Sequence, residues 1–344
     1  MNQRDRFDVE KPVALIDRFI VKPGHQRAAY DLMVRDYAVH VAPRGLRLVG
    51  AWVSPPFDRP AAVSELTVVW EYSSLGALWA ARMEEEDDAV VRRIWADLVA
   101  LTESRSRVVA RDAPMVLPPP DRDGELFAFA DGMVRTILFV RPLAPLSEAA
   151  ATGWIVAAES LMLPHEGCIA SRAGFHGAYS FLPGHLTWDV TSRAPIDPAE
   201  LLTALPGAAE LVESVELGSV VAAGLRKPGE GRIKRTILVR ARAGTSEMEG
   251  AAFERALAET PFYITALDNW RLSRVASSTG PIGWTHCYEQ EVGDASVFVG
   301  DYLNHPYHWS IVERLFHPDA PERIGDAFLH TLYPIDRSVL SDIT

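Results

Sequence analysis

"RTILFVRP" (Arg135–Pro142) and "RTILVRA" (Arg235–Ala241) are the stretches on which the reading of this chain turns. Each is an apolar run rich in β-branched residues, the pattern of a core strand. Each leads into a helical pattern, "SEAAATGWIVAAESL" and "SEMEGAAFERALAE", in which Ser147 and Ser246 are placed as N-caps ahead of apolar residues at helical spacing. Both patterns end near a proline, Pro164 or Pro261. Two further strand-like runs follow, the second holding Trp188 in "HLTWDV" or Trp284 in "GWTHCYEQEV", and then another helix and a last strand. An internal repeat in the order strand, helix, strand, strand, helix, strand predicts the ferredoxin-like plait, an antiparallel sheet with helices on one face.

The N-terminal segment fits the same plan. "VALIDRFIVKPG" alternates as a strand, "HQRAAYDLMVRDYAVHVAP" is an amphipathic helix, and "RLVGAWVS" and "ELTVVWEY" are the paired middle strands. The helix "SLGALWAARMEEEDDAVVRRIWADLVAL" carries its acidic run, Glu84 to Asp88, on solvated positions. Trp52, Trp70, Trp79 and Trp95 read as core anchors. Three consecutive prolines in "APMVLPPPDRDGE" (113–125) and the turn in "RKPGEGR" (226–232) cannot continue regular structure, so they mark linkers. The expected organisation is an α+β chain of three tandem ferredoxin-like plaits: residues 1–112, a Pro-rich linker at 113–125, then 126–226 and 232–344.

A net charge of −12 with no clustered Lys or Arg argues against nucleic acid as a partner and favours a small or neutral ligand. Cys168 and Cys287 are too few for a disulfide framework or a zinc site of their own. The opening "MNQRDRFDVEKP" lacks a signal-peptide apolar core, and no run of apolar residues is long enough to span a bilayer. The expectation is a cytoplasmic protein without a membrane partner.

"DYLNHPYHW" (Asp301–Trp309) crowds a Tyr, an Asn and two His into one turn. Pro306 suits the first turn of a helix, which places His305 near the N-cap and His308 in the first turn. The helix dipole there disfavours imidazolium and keeps His308 neutral, the form a general base needs. Tyr302 offers a hydroxyl for a carbonyl or enolate oxygen. Two other readings stay open at this point. His305 and His286 can be structural, and His305, His308 and His286 can hold a metal if Asp301 or Glu313 joins them. His317 and His330 read as local features. The chain has no Gly-rich dinucleotide loop, P-loop or Gly-x-Ser-x-Gly elbow.

The segment with "GWTHCYEQEV", "DYLNHPYHW" and "ERLFHPDAPERI" resembles the stress-responsive A/B barrel (Dabb) domain family over most of residues 232–333. The segment with "PGHQRAAYDLMVRDY", "LVGAW", "VVWEYSSL" and "AARMEEEDDAVVRRIW" resembles the NIPSNAP-like domain family, another branch of the dimeric α/β-barrel superfamily. The middle segment looks like a degenerate partner, with "ELLTALPGAAEL" in place of the HPxH turn. The resemblance implies sheet-to-sheet pairs of plaits. It leaves open whether segment three pairs with segment two or with segment one; the first pairing leaves segment one to a second copy of the chain, a homodimer.

The A/B barrel family includes cofactor-independent cyclases, whose catalytic Tyr and His match Tyr302 and His308, with His286 and His305 matching further pocket histidines. The pocket implied is lined by Ile237, Val239, Phe253 and Tyr288, with Trp284 and Trp309 beside them. The function expected is a lyase, cyclase or isomerase needing no metal and no cofactor, acting beside a carbonyl of a small hydrophobic substrate. The alternatives are a cofactor-free monooxygenase and a non-catalytic ligand-binding or stress protein.

Overall fold

In the computed structural model, which describes residues 10–56, 62–85, 88–111, 132–160, 167–177, 180–230, 233–317 and 320–343, the alternation of "VALIDRFIV" becomes strand β1 (Val13–Val21). Its odd-numbered residues are buried, as the period of two requires. β2 (Arg47–Ser54), β3 (Ser64–Tyr72) and β4 (Thr102–Ala110) join it in an antiparallel sheet of order β2-β3-β1-β4, the order of a ferredoxin-like plait. One face is covered by α1 (Gln26–Asp31), a π-helical stretch Leu32–Tyr37, α2 (Ala38–Val41), α3 (Leu75–Glu85) and α4 (Ala89–Leu101). Phe19, Met33, Tyr37, Trp70 and Leu98 pack between sheet and helices. Asp17 is buried among them, accepting from Arg107 Nε and Nη2 at 2.7 and 2.9 Å and from Trp70 Nε1 at 2.9 Å.

The acidic run departs from expectation. Instead of one helix there are two, and Asp88, in extended conformation, is the N-cap of α4, accepting from the N–H groups of Val90 and Val91. Burial would raise its pKa, but bonds from Arg44, His40 and those two amides overcome this and hold it well below the carboxylate range. Glu84 is solvated as expected, and residues 86 and 87 lie outside the described residues, as do the linker 113–125 and Pro164. Trp52 is no core anchor. It lies on the face away from the helices, 56% exposed, its ring across Gly50, which has no Cβ to obstruct it.

The described residues up to Arg111 form the first compact unit together with those of Leu303–Arg323. The second unit takes the described residues of Pro118–Tyr302 and Ile324–Thr344. Residues 303–323 therefore leave the sequence-based domain 232–344. Their destination is apolar packing, since Trp309 joins the first unit's core, and an ion pair links Glu313 to Arg82.

The second unit holds β5 (Val134–Pro142), β6 (Cys168–Phe175), β7 (Leu186–Ser192), β8 (Ala209–Leu225), β9 (Ile233–Ala241), β10 (Asn269–Ser278), β11 (His286–Val292) and β12 (Gly325–Pro334). They form one antiparallel sheet ordered β12-β9-β11-β10-β8-β5-β7-β6, the plait order written twice and joined at β8 and β10. The outer strands meet again, with Gly177 N–H donating to Leu332 O at 2.9 Å and Gly174 against Tyr333, so the sheet closes into a barrel. Segments two and three thus share one sheet.

Ile137, Phe139, Leu238 and Cys287 point into the barrel, while Leu138, Val140 and Trp188 meet α5 (Glu148–Glu159) and the short α6 (Pro198–Leu202) outside. α7 (Glu247–Tyr263) opens on a capping box between Ser246 and Glu249 and carries Pro261 inside its last turn, where a helix end was expected. The sequence repeat is offset from the structural one. Ile137 pairs with Asp189 as Thr236 pairs with Glu289, so the partner of Arg135 is Lys234, and Arg235 faces the other way. Among the described residues, no helix is long and apolar enough to cross a membrane.

Candidate active site

The helix-covered face of β9 and β11 gathers much of the predicted pocket. Val239 stands opposite His286, Ile237 opposite Tyr288, and Arg235 opposite Gln290. Directly opposed antiparallel residues share a face at contact distance. Phe253, reaching down from α7, sets its ring edge-on to His286 at 5.2 Å. All but Arg235 are buried.

Arg235 is the residue the sequence did not single out. Its guanidinium lies 5.1 Å from the ring centres of both Tyr302 and Phe298, within the π-helical turn Phe298–Tyr302, close enough for cation–π attraction. It donates to Gln290 Oε1 at 3.3 Å and to His330 Nδ1 at 3.1 Å. Burial pulls the Arg235 pKa down, while a hydrogen bond and charge interaction with Tyr302 pull it up. Burial and then the Arg235 charge push His330 down to about 3, so its ring is neutral at physiological pH and serves as an acceptor. Tyr302 is thus fixed from beneath by a cation that Gln290 and His330 hold in place.

His286 is constrained on both sides, with Nδ1 2.8 Å from Thr285 Oγ1 and Nε2 3.2 Å from Glu254 Oε1. Glu254 also accepts from Arg274 at 2.6 and 3.0 Å, which is the main reason its pKa is lowered. Burial lowers the His286 pKa, and Glu254 opposes that only in part. Trp284 goes elsewhere, into the barrel, where its indole N–H donates to Glu213 Oε2 at 2.9 Å.

The remaining candidates fall in the first unit. His305 caps the helical run 306–315, its Nδ1 accepting from Tyr307 N–H at 3.1 Å, and burial pushes its pKa down to about 4. His308 is buried edge-on to Trp79 at 5.7 Å. Trp309 is a core residue whose indole donates to Asn304 O at 3.2 Å. His317, expected to be a local feature, sits beside a cavity of about 20 Å³, room for about one water, with Arg82 and Arg107 on its wall. Burial, then the charges of Arg82, Arg107, Arg323 and Arg105, hold it far below the usual histidine value. Among the described residues, no group of three or more His, Cys, Asp or Glu is placed to hold a metal.

No family model matches the sequence, and no curated protein matches it. Solved structures do. An anthrone oxidase-like protein is similar over 59% of this chain and 91% of its own, at 8% identity and a TM-score of 0.46. A putative monooxygenase from Lactobacillus acidophilus covers 59% of this chain and 93% of its own, at 10% identity and a TM-score of 0.39. A NIPSNAP domain protein from Burkholderia xenovorans covers 30% of this chain and 96% of its own, at 14% identity and a TM-score of 0.24. Likeness at these identities concerns the fold alone. The class is α+β with antiparallel sheets of the ferredoxin-like kind.

Proposed function

We propose that the protein is an acid–base enzyme that forms an enolate beside a carbonyl of a hydrophobic, aromatic or polyketide-like molecule, and uses no cofactor to do so. The observation that carries this reading is Arg235 beneath Tyr302, a cation and a hydroxyl together on a face otherwise built of Ile237, Val239, Phe253 and Tyr288. Preorganised donors of this kind lower the energy of a developing oxyanion where water is excluded. Tyr302 donates to the substrate oxygen, and Arg235 supplies the charge. His308 keeps the role of proton acceptor that the family resemblance implies, a role resting on the sequence alone.

Fate of the enolate separates two readings. Ring closure, elimination or reprotonation makes the protein a cyclase, lyase or isomerase. Reaction with oxygen makes it a cofactor-free monooxygenase, the fate in keeping with the names of the anthrone oxidase-like and putative monooxygenase structures. The same oxyanion pair serves both, because an electron-rich enolate is what reacts with O₂.

Anthrone tests both with one probe. Under nitrogen in D₂O, enzyme-dependent exchange of its methylene hydrogens reports enolate formation. Under air, C₁₄H₁₀O + O₂ → C₁₄H₈O₂ + H₂O reports the oxygenase. The expected result is exchange that Tyr302→Phe slows by about 10²- to 10³-fold; exchange equal to that without enzyme overturns the proposal for this substrate class. The partner proposed is a second copy of the chain, set against the bare face of the first unit's sheet, where Val108 is 45% and Trp52 56% exposed.

A further inference from the structure

We propose that the outer edge of β2 takes up an extended peptide segment of a partner protein, which pairs with the strand and lowers alternate apolar side chains into a groove beside α1. The groove lies in the first unit, has a volume of about 460 Å³ and is lined by Gln26 and Tyr30 of α1 and by Ala51, Trp52 and Val53 of β2. That volume is within the range bound ligands fill.

Three consecutive residues of one strand on the wall tell where the groove runs. Ala51 stands opposite Val68 and Val53 opposite Leu66, both fully buried beneath the helices, so these two side chains share that face. Trp52, opposite Thr67, points to the other face, since successive side chains of a strand alternate. A cavity that touches all three runs along the edge of the strand, against its main chain. Its helix wall is fixed in advance, because buried Gln26 donates through Nε2 to Ser64 Oγ at 2.9 Å and to Ala62 O at 3.4 Å, tying the start of α1 to the entry of β3.

The edge itself is open. β2 ends its sheet, and among the described residues it pairs with β3 alone. A terminal strand presents a row of main-chain N–H and C=O groups outward, and from Gly50 to Ser54 the register with β3 is regular, which keeps that row evenly spaced. The sheet's other edge is guarded. β4 carries Glu103, Arg105 and Arg107, and the turn His308–Val312 packs beside it. β2 has neither charge nor proline from Leu48 to Ser54, and Val49 is 47% exposed.

An unguarded edge beside a formed groove is how sheets bind extended peptides, with main-chain bonds supplying affinity and alternate side chains supplying selectivity. The segment that fits has apolar residues at every second position, because Ala51, Val53 and the Tyr30 ring are what those side chains meet. A small apolar molecule would meet the same wall and leave the outward main-chain groups to water.

The probe is the peptide SELTVVWEY, the sequence of β3 (Ser64–Tyr72), which pairs antiparallel with the inner edge of β2 and has the required alternation. Fluorescence anisotropy of the labelled peptide with the full chain should show saturable, one-to-one binding. Only alternate amides of the probe can face β2. N-methylation of one alternate set should therefore weaken binding at least about tenfold, several hydrogen bonds being lost together, and methylation of the other set should leave it within about twofold. Ala51→Phe, which fills the groove, should weaken it at least about tenfold through overpacking. Met248→Gln, at an exposed position of the second unit, should leave it unchanged. Absence of saturable binding overturns the proposal. Binding that tolerates both methylation patterns overturns it in favour of an apolar molecule in the groove, and undiminished binding to folded Ala51→Phe overturns it by placing the peptide elsewhere. A dimer that splits as the peptide binds, read by light scattering, would assign the edge to a second copy and overturn it as well.

Discussion

At the scale of single residues the chain is governed by buried polar groups whose partners are specified. Asp17 is the clearest, held by two nitrogens of Arg107 and by Trp70. Removing one member of a buried ion pair strands the other, so Asp17→Ala should destabilise the first unit by about 3–5 kcal/mol, read from urea or guanidinium unfolding. A loss under about 1 kcal/mol would mean that water reaches Arg107 freely. Histidines set the pH dependence. His176 and His305 are pushed down to about 4 and His330 to about 3, in each case chiefly by burial. Their folded values lie below the unfolded value near 6.5, so between these limits the unfolded chain binds more protons. Stability is then fully present above about pH 6.5 and falls as the pH drops towards 4, by up to about 1.4 kcal/mol per pH unit for each histidine. Thermal midpoints measured from pH 7 to 4 should fall accordingly, and His305→Gln should flatten the first unit's share. An unaltered slope in that variant would show His305 protonated in the fold.

At the scale of elements, local sequence carried most of the information. The alternation of "VALIDRFIV", the Ser147 and Ser246 caps and the start of a helix at Pro306 behind His305 are local signals, and the structure has each of them. What local signals do not carry is the facing of a strand buried on both sides. "RTILVRA" is a nearly continuous apolar run, so matching it letter for letter to "RTILFVRP" equated Arg235 with Arg135, one position out of register, and a one-residue slip exchanges the faces. Arg235 and its neighbours Gln290 and His330 were missed for that reason. Periodicity likewise says nothing of the unit in which residues 303–323 find their apolar partners. The acidic run concealed a cap, and Asp88→Ala should cost α4 about 1–2 kcal/mol, since it removes both the cap bonds and the anchor for Arg44 and His40. Amide exchange of Val90 and Val91 is the direct check; unchanged protection would mean that the cap is not formed in solution.

At the scale of the whole molecule, a sheet covered on one face seeks burial for the other. The second unit meets that need within itself by closing its eight strands. The first unit presents a face with Trp52 and Val108 exposed, so light scattering at micromolar concentration should give twice the chain mass of 37.9 kDa, and Trp52→Glu should return the protein to monomer. A wild-type monomer would remove the reason for a second copy. The central claim is that chemistry takes place above Arg235, outside the barrel, and exchange of anthrone methylene hydrogens in D₂O tests it most directly. Tyr302→Phe and Arg235→Gln should each slow exchange by about 10²- to 10³-fold, the usual loss for one oxyanion donor, in protein whose thermal midpoint matches that of the wild type. Trp284→Phe, inside the barrel, should leave the rate within a factor of about two. Full exchange in folded Tyr302→Phe and Arg235→Gln protein would contradict the account and move the active site off this face.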